Sequence, residues 1–99
     1  MTRTVAFTAA AQAEFIEAAA WYEAKRPGLG ADFIAQIELC VRRIAEQPAR
    51  YPIVHGGIRR IVAARFPYSV YFHAEDRRLI VLAVFHGRRD PAVWHRRGA

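Results

Sequence analysis

Seven consecutive apolar residues, Leu79-Ile80-Val81-Leu82-Ala83-Val84-Phe85, constrain the fold of this chain more than any other stretch. The run is far short of the roughly 18 to 20 residues that a membrane span needs. At this length, and bounded by polar residues, it reads as a strand buried on both faces. Such a strand requires neighbouring strands at its edges and other elements over its faces, and the remaining sequence supplies both.

On the N-terminal side of that run the apolar period is two. Ile58, Arg60, Val62 and Ala64 alternate with Arg59, Ile61, Ala63 and Arg65, which places a strand over 58–65. Tyr68 to His73 gives a second strand, and Ala74-Glu75-Asp76-Arg77 turns the chain into the apolar strand, Arg78 to His86. These three strands form an antiparallel meander. The first half has a helical period instead. Arg3–Phe7 reads as a short opening strand, and Thr8 stands at an N-cap position before Ala9, Ala10 and Ala11. Ala11, Phe15, Ala18, Ala19 and Tyr22 give that helix an apolar face, and Lys25-Arg26-Pro27-Gly28 ends it. A second helix runs from about Gly30 to Glu46, with Phe33, Ile37, Cys40, Val41 and Ile44 as its buried stripe, and Gln47-Pro48 stops it. The expected class is α+β: an N-terminal strand and a two-helix hairpin packed on a three- to four-stranded, mainly antiparallel sheet.

The 99 residues are expected to form one domain, because two cores would each be too small to bury enough surface. Apolar residues make up 54% of the chain, which excludes intrinsic disorder. The N-terminus, Met-Thr-Arg-Thr-Val, lacks the apolar core of a secretion signal, so a cytoplasmic location is expected. Cys40 is the sole cysteine and falls on a helical apolar stripe, which makes it a small core residue. His55, His73, His86 and His95 are scattered without ligand spacing, so neither a metal nor another cofactor is expected. The charge is divided unevenly. Residues 1–49 carry five Lys/Arg and six Asp/Glu, a net −1; residues 50–99 carry ten Arg and three Asp/Glu, a net +7. An arginine-rich half favours an anionic partner, either nucleic acid or an acidic protein.

Placed on these elements, several short stretches resemble a known family. Ala18-Ala19-Ala20-Trp21-Tyr22-Glu23, then Pro27-Gly28-Leu29-Gly30 and Phe33, is similar to the first helical hairpin of ParE-like toxins. Gln47-Pro48-Ala49-Arg50-Tyr51-Pro52 resembles their connector, and Arg59-Arg60 with Arg65-Phe66-Pro67-Tyr68 and Val70-Tyr71-Phe72 their central strands. His86-Gly87-Arg88-Arg89-Asp90-Pro91 with Trp94 resembles their C-terminal signature. The chain is thereby identified as a member of the RelE/ParE toxin superfamily, in its ParE-like branch. The resemblance implies the toxin of a type II toxin–antitoxin system, with growth inhibition and plasmid stabilisation as its effects. It also implies a ParD-like or similar antitoxin that wraps the helical hairpin and sheet. ParE-like members inhibit DNA gyrase, whereas RelE-like members cleave mRNA in the ribosomal A site.

The two activities demand different residues. Metal-free RNA cleavage needs a base for the 2′-hydroxyl, an acid for the leaving oxygen and cations around the phosphate. Aligned with the RelE-like set, a basic position falls here on Tyr68 and the C-terminal tyrosine on Trp94, while Arg89 matches. The catalytic set is incomplete, which favours a non-enzymatic gyrase inhibitor. The alternative is a ribosome-dependent endoribonuclease using His86, Arg88 and Arg89, with His86 and Arg89 as the catalytic candidates. The resemblance and the charge together nominate Arg59, Arg60, Arg65, Arg88, Arg89 and Trp94 for target binding. Trp21, Tyr22, Phe33 and Ile37 are nominated for antitoxin binding, although Tyr22 and Phe33 also suit a core. Asp90 is placed to cap a short last helix through Trp94. Arg96-Arg97-Gly98-Ala99 reads as a frayed basic tail.

Overall fold

The computed structural model describes residues 3–98. The elements follow in the order β1 (Thr4–Phe7), α1 (Ala9–Lys25), α2 (Leu29–Glu46), a 3₁₀ turn (Pro48–Arg50), β2 (Ile53–His55), β3 (Ile58–Val62), β4 (Tyr68–Ala74), β5 (Arg78–His86), α3 (Ala92–His95) and a closing 3₁₀ turn (Arg96–Gly98). The strands form one sheet in the order β1-β5-β4-β3-β2. β1 runs parallel to β5, and the other pairs are antiparallel. The class is α+β as expected, but the sheet has five strands rather than three to four. The additional strand is β2, only three residues long and exposed throughout, so it carries no apolar alternation. Gly56, at φ +55°, and Gly57 turn it directly into β3. β3 ends at Val62 rather than Arg65, because Arg65 takes a left-handed φ of +71° and breaks the extended geometry.

The apolar run forms β5 and is buried on both faces. Leu79, Val81 and Val84 pack with Phe33, Ile37 and Ile44 beneath the helices, while Leu82 and Phe85 pack with Tyr71, Ile58 and Trp94 on the opposite face. The register against β4 shifts between Tyr71 and Phe72, which pair with Ala83 and Val81. Leu82 is therefore the extra residue of a bulge. It lies with Ala83 in the cluster away from the helices.

The two helices are joined by a compact turn with its own capping device. Thr8 accepts a hydrogen bond from Ala11 N at 3.1 Å and so caps α1. Gly28, left-handed at φ +89°, has no side chain with which to cap α2. The Glu23 carboxylate does so from the preceding helix, accepting from Gly28 N at 3.0 and 3.1 Å and from Gly30 N at 3.0 Å. Gly30 is buried at the point where the helices meet. A Cβ there would stand 2.7 Å from the Ala19 carbonyl oxygen and 2.9 Å from Glu23. Cys40 is buried on the α2 stripe, and burial raises its thiol pKa above the ordinary value, as befits a core residue.

Gly30→Ala tests this contact. Alanine gains about 1 kcal/mol of helix propensity over glycine, but a clash with a backbone oxygen costs about 1–3 kcal/mol. A lowered midpoint in urea unfolding is the expected result. A raised midpoint would show that the helices separate freely.

Candidate functional site

Tyr68 opens β4 and His86 closes β5, and the two are cross-strand partners at one end of the sheet. α1 crosses that end. Glu14, Glu17, Ala18 and Trp21 fall within two turns of helix and share a side of it. Together these residues bound a cavity of about 450 Å³, completed by Tyr22, Pro67, Val84 and Arg89. The structure thus brings the two catalytic candidates, His86 and Arg89, together with two antitoxin candidates, Trp21 and Tyr22.

Two polar groups of this cavity, Glu14 and His86, are held by hydrogen bonds. His86 Nδ1 accepts from Arg88 N at 3.0 Å, so the neutral ring carries its proton on Nε2. Its ring meets Tyr68 edge-on at 5.2 Å. The Arg89 guanidinium lies over the Phe85 ring at 4.2 Å. Burial raises the Tyr68 phenol above its ordinary pKa; Tyr22 and Glu14 add to that and Arg89 opposes it. A phenol moved further from neutrality is a poorer base at physiological pH.

One end of the cavity is fixed by an ion pair. Glu14 accepts from Arg97 Nη1 at 3.0 Å and Nη2 at 2.9 Å, in fork geometry, and from Val84 N at 3.1 Å. Arg97 Nη1 also donates to Leu82 O at 3.0 Å. Both side chains are largely buried, with exposures of 20% for Arg97 and 12% for Glu14. This overturns the reading of a frayed tail. Arg96–Gly98 is a 3₁₀ turn pinned through Arg97, and Ala99 lies outside the described residues. Asp90 accepts from Ala92 N at 3.0 Å at the start of α3.

The other nominated residues are spread over the molecule. Arg59 and Arg60 are successive strand residues and face opposite sides of the sheet. Arg59 Nη1 donates to the Tyr51 carbonyl at 2.6 Å, whereas Arg60 shares the face of Tyr71, away from the helices. Arg65 sits in a turn and makes an exposed pair with Asp32 at 3.6 Å. Arg88 and Arg89 are exposed after β5. Trp94 is only 3% exposed and stacks on Tyr71 at 3.9 Å, so its ring packs α3 onto the sheet. Phe33 and Ile37 are fully buried and belong to the core beneath the hairpin. An antitoxin reaches them only through their neighbours.

Sequence reasoning missed Glu14, Glu17 and Arg97. The helical spacing of Glu14 and Glu17 to Trp21 was a usable signal for the first two; nothing local marks Arg97. A second exposed apolar surface lies along the hairpin, a shallow groove lined by Gln12, Phe15, Ile16, Ala19 and Ile34. Trp21 belongs to the first cavity, on the other flank of α1; it is 55% exposed, with Lys25 Nζ 4.7 Å from its ring centre. Among the described residues no cluster of three or more His, Cys, Asp or Glu is arranged to hold a metal, and no helix is long and apolar enough to cross a membrane.

Comparison with known proteins gives two positive findings. The family described as the ParE toxin of type II toxin-antitoxin system, parDE, matches residues 5–91. Among solved structures, a chain of the chromosomal ParDE TA system from P. aeruginosa superposes with a TM-score of 0.75 at 17% identity. That match covers 86% of this chain and 96% of the other, and it shows a shared fold. No curated protein matches the sequence.

The Glu14–Arg97 pair yields a quantitative expectation. Breaking a fully buried pair costs about 3–5 kcal/mol; with Arg97 one-fifth exposed, Glu14→Ala or Arg97→Ala should each cost about 2 kcal/mol. The double variant should cost well below the sum, because no unpaired charge remains. Urea unfolding of the four proteins measures the coupling. Strict additivity would mean that the pair contributes nothing beyond its separate residues.

Proposed function

This chain belongs to the ParE toxin family of type II toxin–antitoxin systems, and from that membership we propose that it inhibits DNA gyrase until a cognate antitoxin covers it. The observation that carries the reading is the division of the surface into an apolar region and a cationic one. The hairpin leaves Ile16 at 59% and Trp21 at 55% exposure, with Ile34 across the groove. Large apolar residues left exposed on both flanks of α1 mark the hairpin as a partner surface. The cationic region is the loop after β5, where Arg88 and Arg89 are exposed and neither forms an ion pair among the described residues.

The apolar region serves the antitoxin. A ParD-like segment, disordered alone, folds as an amphipathic helix along the groove and places apolar side chains against Ile16 and Ile34. Trp21 and Tyr22 extend that contact into the cavity at the sheet end. The cationic region serves the target. Arg88 and Arg89 meet anionic groups of the gyrase–DNA complex. Both partners place the protein in the cytoplasm.

The mode of action is non-enzymatic inhibition, with no cofactor. Tyr68 and Trp94 stand where an RNA-cleaving relative needs a cation and a phenol, and Trp94 is buried against Tyr71. The family match lends no support to the ribonuclease alternative.

Two measurements test these assignments. The antitoxin-free protein is expected to block gyrase supercoiling, and Arg88→Ala/Arg89→Ala should weaken inhibition about tenfold or more. Unimpaired inhibition by a folded double variant would remove the arginine loop from the mechanism. Trp21→Ala should weaken antitoxin binding about tenfold while leaving gyrase inhibition intact; unchanged affinity in calorimetry would place the antitoxin elsewhere.

A further inference from the structure

The sheet face turned away from the helices carries nitrogen groups that the protein itself leaves without partners. Arg60 and Tyr71 are cross-strand neighbours on this face, and Trp94 stacks on Tyr71. His73 lies two residues along β4, its ring beside Gly57, where an added Cβ would come within 3.3 Å. Arg60 Nε, His73 Nδ1 and Trp94 Nε1 are all buried, and none has a hydrogen-bond partner. Arg60 Nε and Trp94 Nε1 are obligatory donors. Among the ion pairs of the described residues the Arg60 guanidinium takes part in none. Native folds pair nearly all buried polar groups, so two unpaired donors, one of them on a guanidinium outside any ion pair, point to an anionic acceptor supplied from outside.

We infer that this face holds a phosphate group of a nucleic-acid backbone, with Arg60 as the charged contact and the Trp94 indole N–H as the second donor. A tetrahedral phosphate offers oxygens in several directions, which suits donors borne on a strand and a helix better than a planar carboxylate does. The long-range charge of the strand-rich half favours a polyanion over a single acid, because residues 50–99 carry ten Arg against three Asp/Glu. The stacked imidazoles of His55 and His95, 3.9 Å apart, stand beside Trp94 at the rim. Since both donor nitrogens are buried, binding shifts the four-residue helix α3 that carries Trp94.

This inference deepens the target reading above, and its test reads binding alone. The full chain, labelled with ¹⁵N and freed of antitoxin, is titrated with a short single-stranded DNA oligonucleotide. Parallel titrations use inorganic phosphate and a polyglutamate peptide. The oligonucleotide should move the Arg60 Nε–H and Trp94 indole N–H resonances, with an affinity that falls as salt rises. Arg60→Met should weaken binding about tenfold or more. Trp94→Phe, which keeps the stack on Tyr71 but removes the donor, should weaken it less. Absence of a shift would overturn the inference, as would a response to inorganic phosphate alone or an equal response to polyglutamate. Oligonucleotide binding by a chain that leaves gyrase untouched would sink the gyrase reading and keep this one. Gyrase inhibition by a chain that binds no oligonucleotide would do the reverse.

Discussion

β5 is hydrogen-bonded along its edges and buried on both faces, and the other elements take their positions from that requirement. β4 satisfies one edge along the full strand, but β1 satisfies the other only as far as Val81. Beyond that point the chain has already turned into α1, and Thr8 N closes the ladder by donating to Val81 O at 3.0 Å. The remaining backbone groups would be orphans in a nearly dry setting, where an unpaired group costs about 1–3 kcal/mol. Side chains replace the missing strand. Arg97 donates to Leu82 O, and Glu14 accepts from Val84 N. The ion pair between them is thus a substitute for a β-ladder as well as a tie between α1 and the C-terminal turn. That dual duty explains why a charged pair is retained in a largely buried place.

Filling the two faces of β5 uses up the apolar residues of the helices unequally. α2 puts a full stripe of large side chains, Phe33, Ile37 and Ile44, onto the sheet. α1 fully buries only Ala11 and Ala18, because it lies close to α2 at Gly30 and close to β5 through Glu14. Small residues permit that approach, Phe15 and Tyr22 pack on the core from its edge, and the other large apolar residues of α1 lie off the buried face. Ile16 and Trp21 stay in water. An incompletely covered hairpin suits a protein whose partner completes its surface.

Much of this was legible in the sequence. The switch from helical to strand period marked the hairpin, the meander and the central strand, because amphipathic repeats over many residues leave a clear signature. β2 left none, being three exposed residues beside Pro52, although Gly56-Gly57 before Ile58 is a hairpin signal. The candidate site was half legible. Residue chemistry singled out His86, Arg88, Arg89 and Trp21, which do gather near one end of the sheet. It did not separate exposed aromatic and apolar residues from buried ones. Phe33 and Trp94 read as contact residues by type, yet both are core by position, since burial depends on which elements meet over them. Arg97 was illegible for the same reason, as its partner lies 83 positions away.

The two faces of the sheet carry separate packing clusters, and the C-terminal segment is where they touch. After β5 the chain passes the exposed pair Arg88 and Arg89, turns at Asp90, lays Trp94 on the face away from the helices, and returns Arg97 to Glu14 on the helix side. One short segment therefore contacts both surfaces. An antitoxin that packs into the cavity lined by Glu14, Trp21 and Arg89 would bear on the same carboxylate that holds Arg97. Neutralisation by simple coverage of the arginine loop would require the antitoxin to reach around the sheet end. Engagement of Glu14 requires no such reach, because the residue that lines the hairpin side of the cavity is already bonded to the segment that carries the cationic surface.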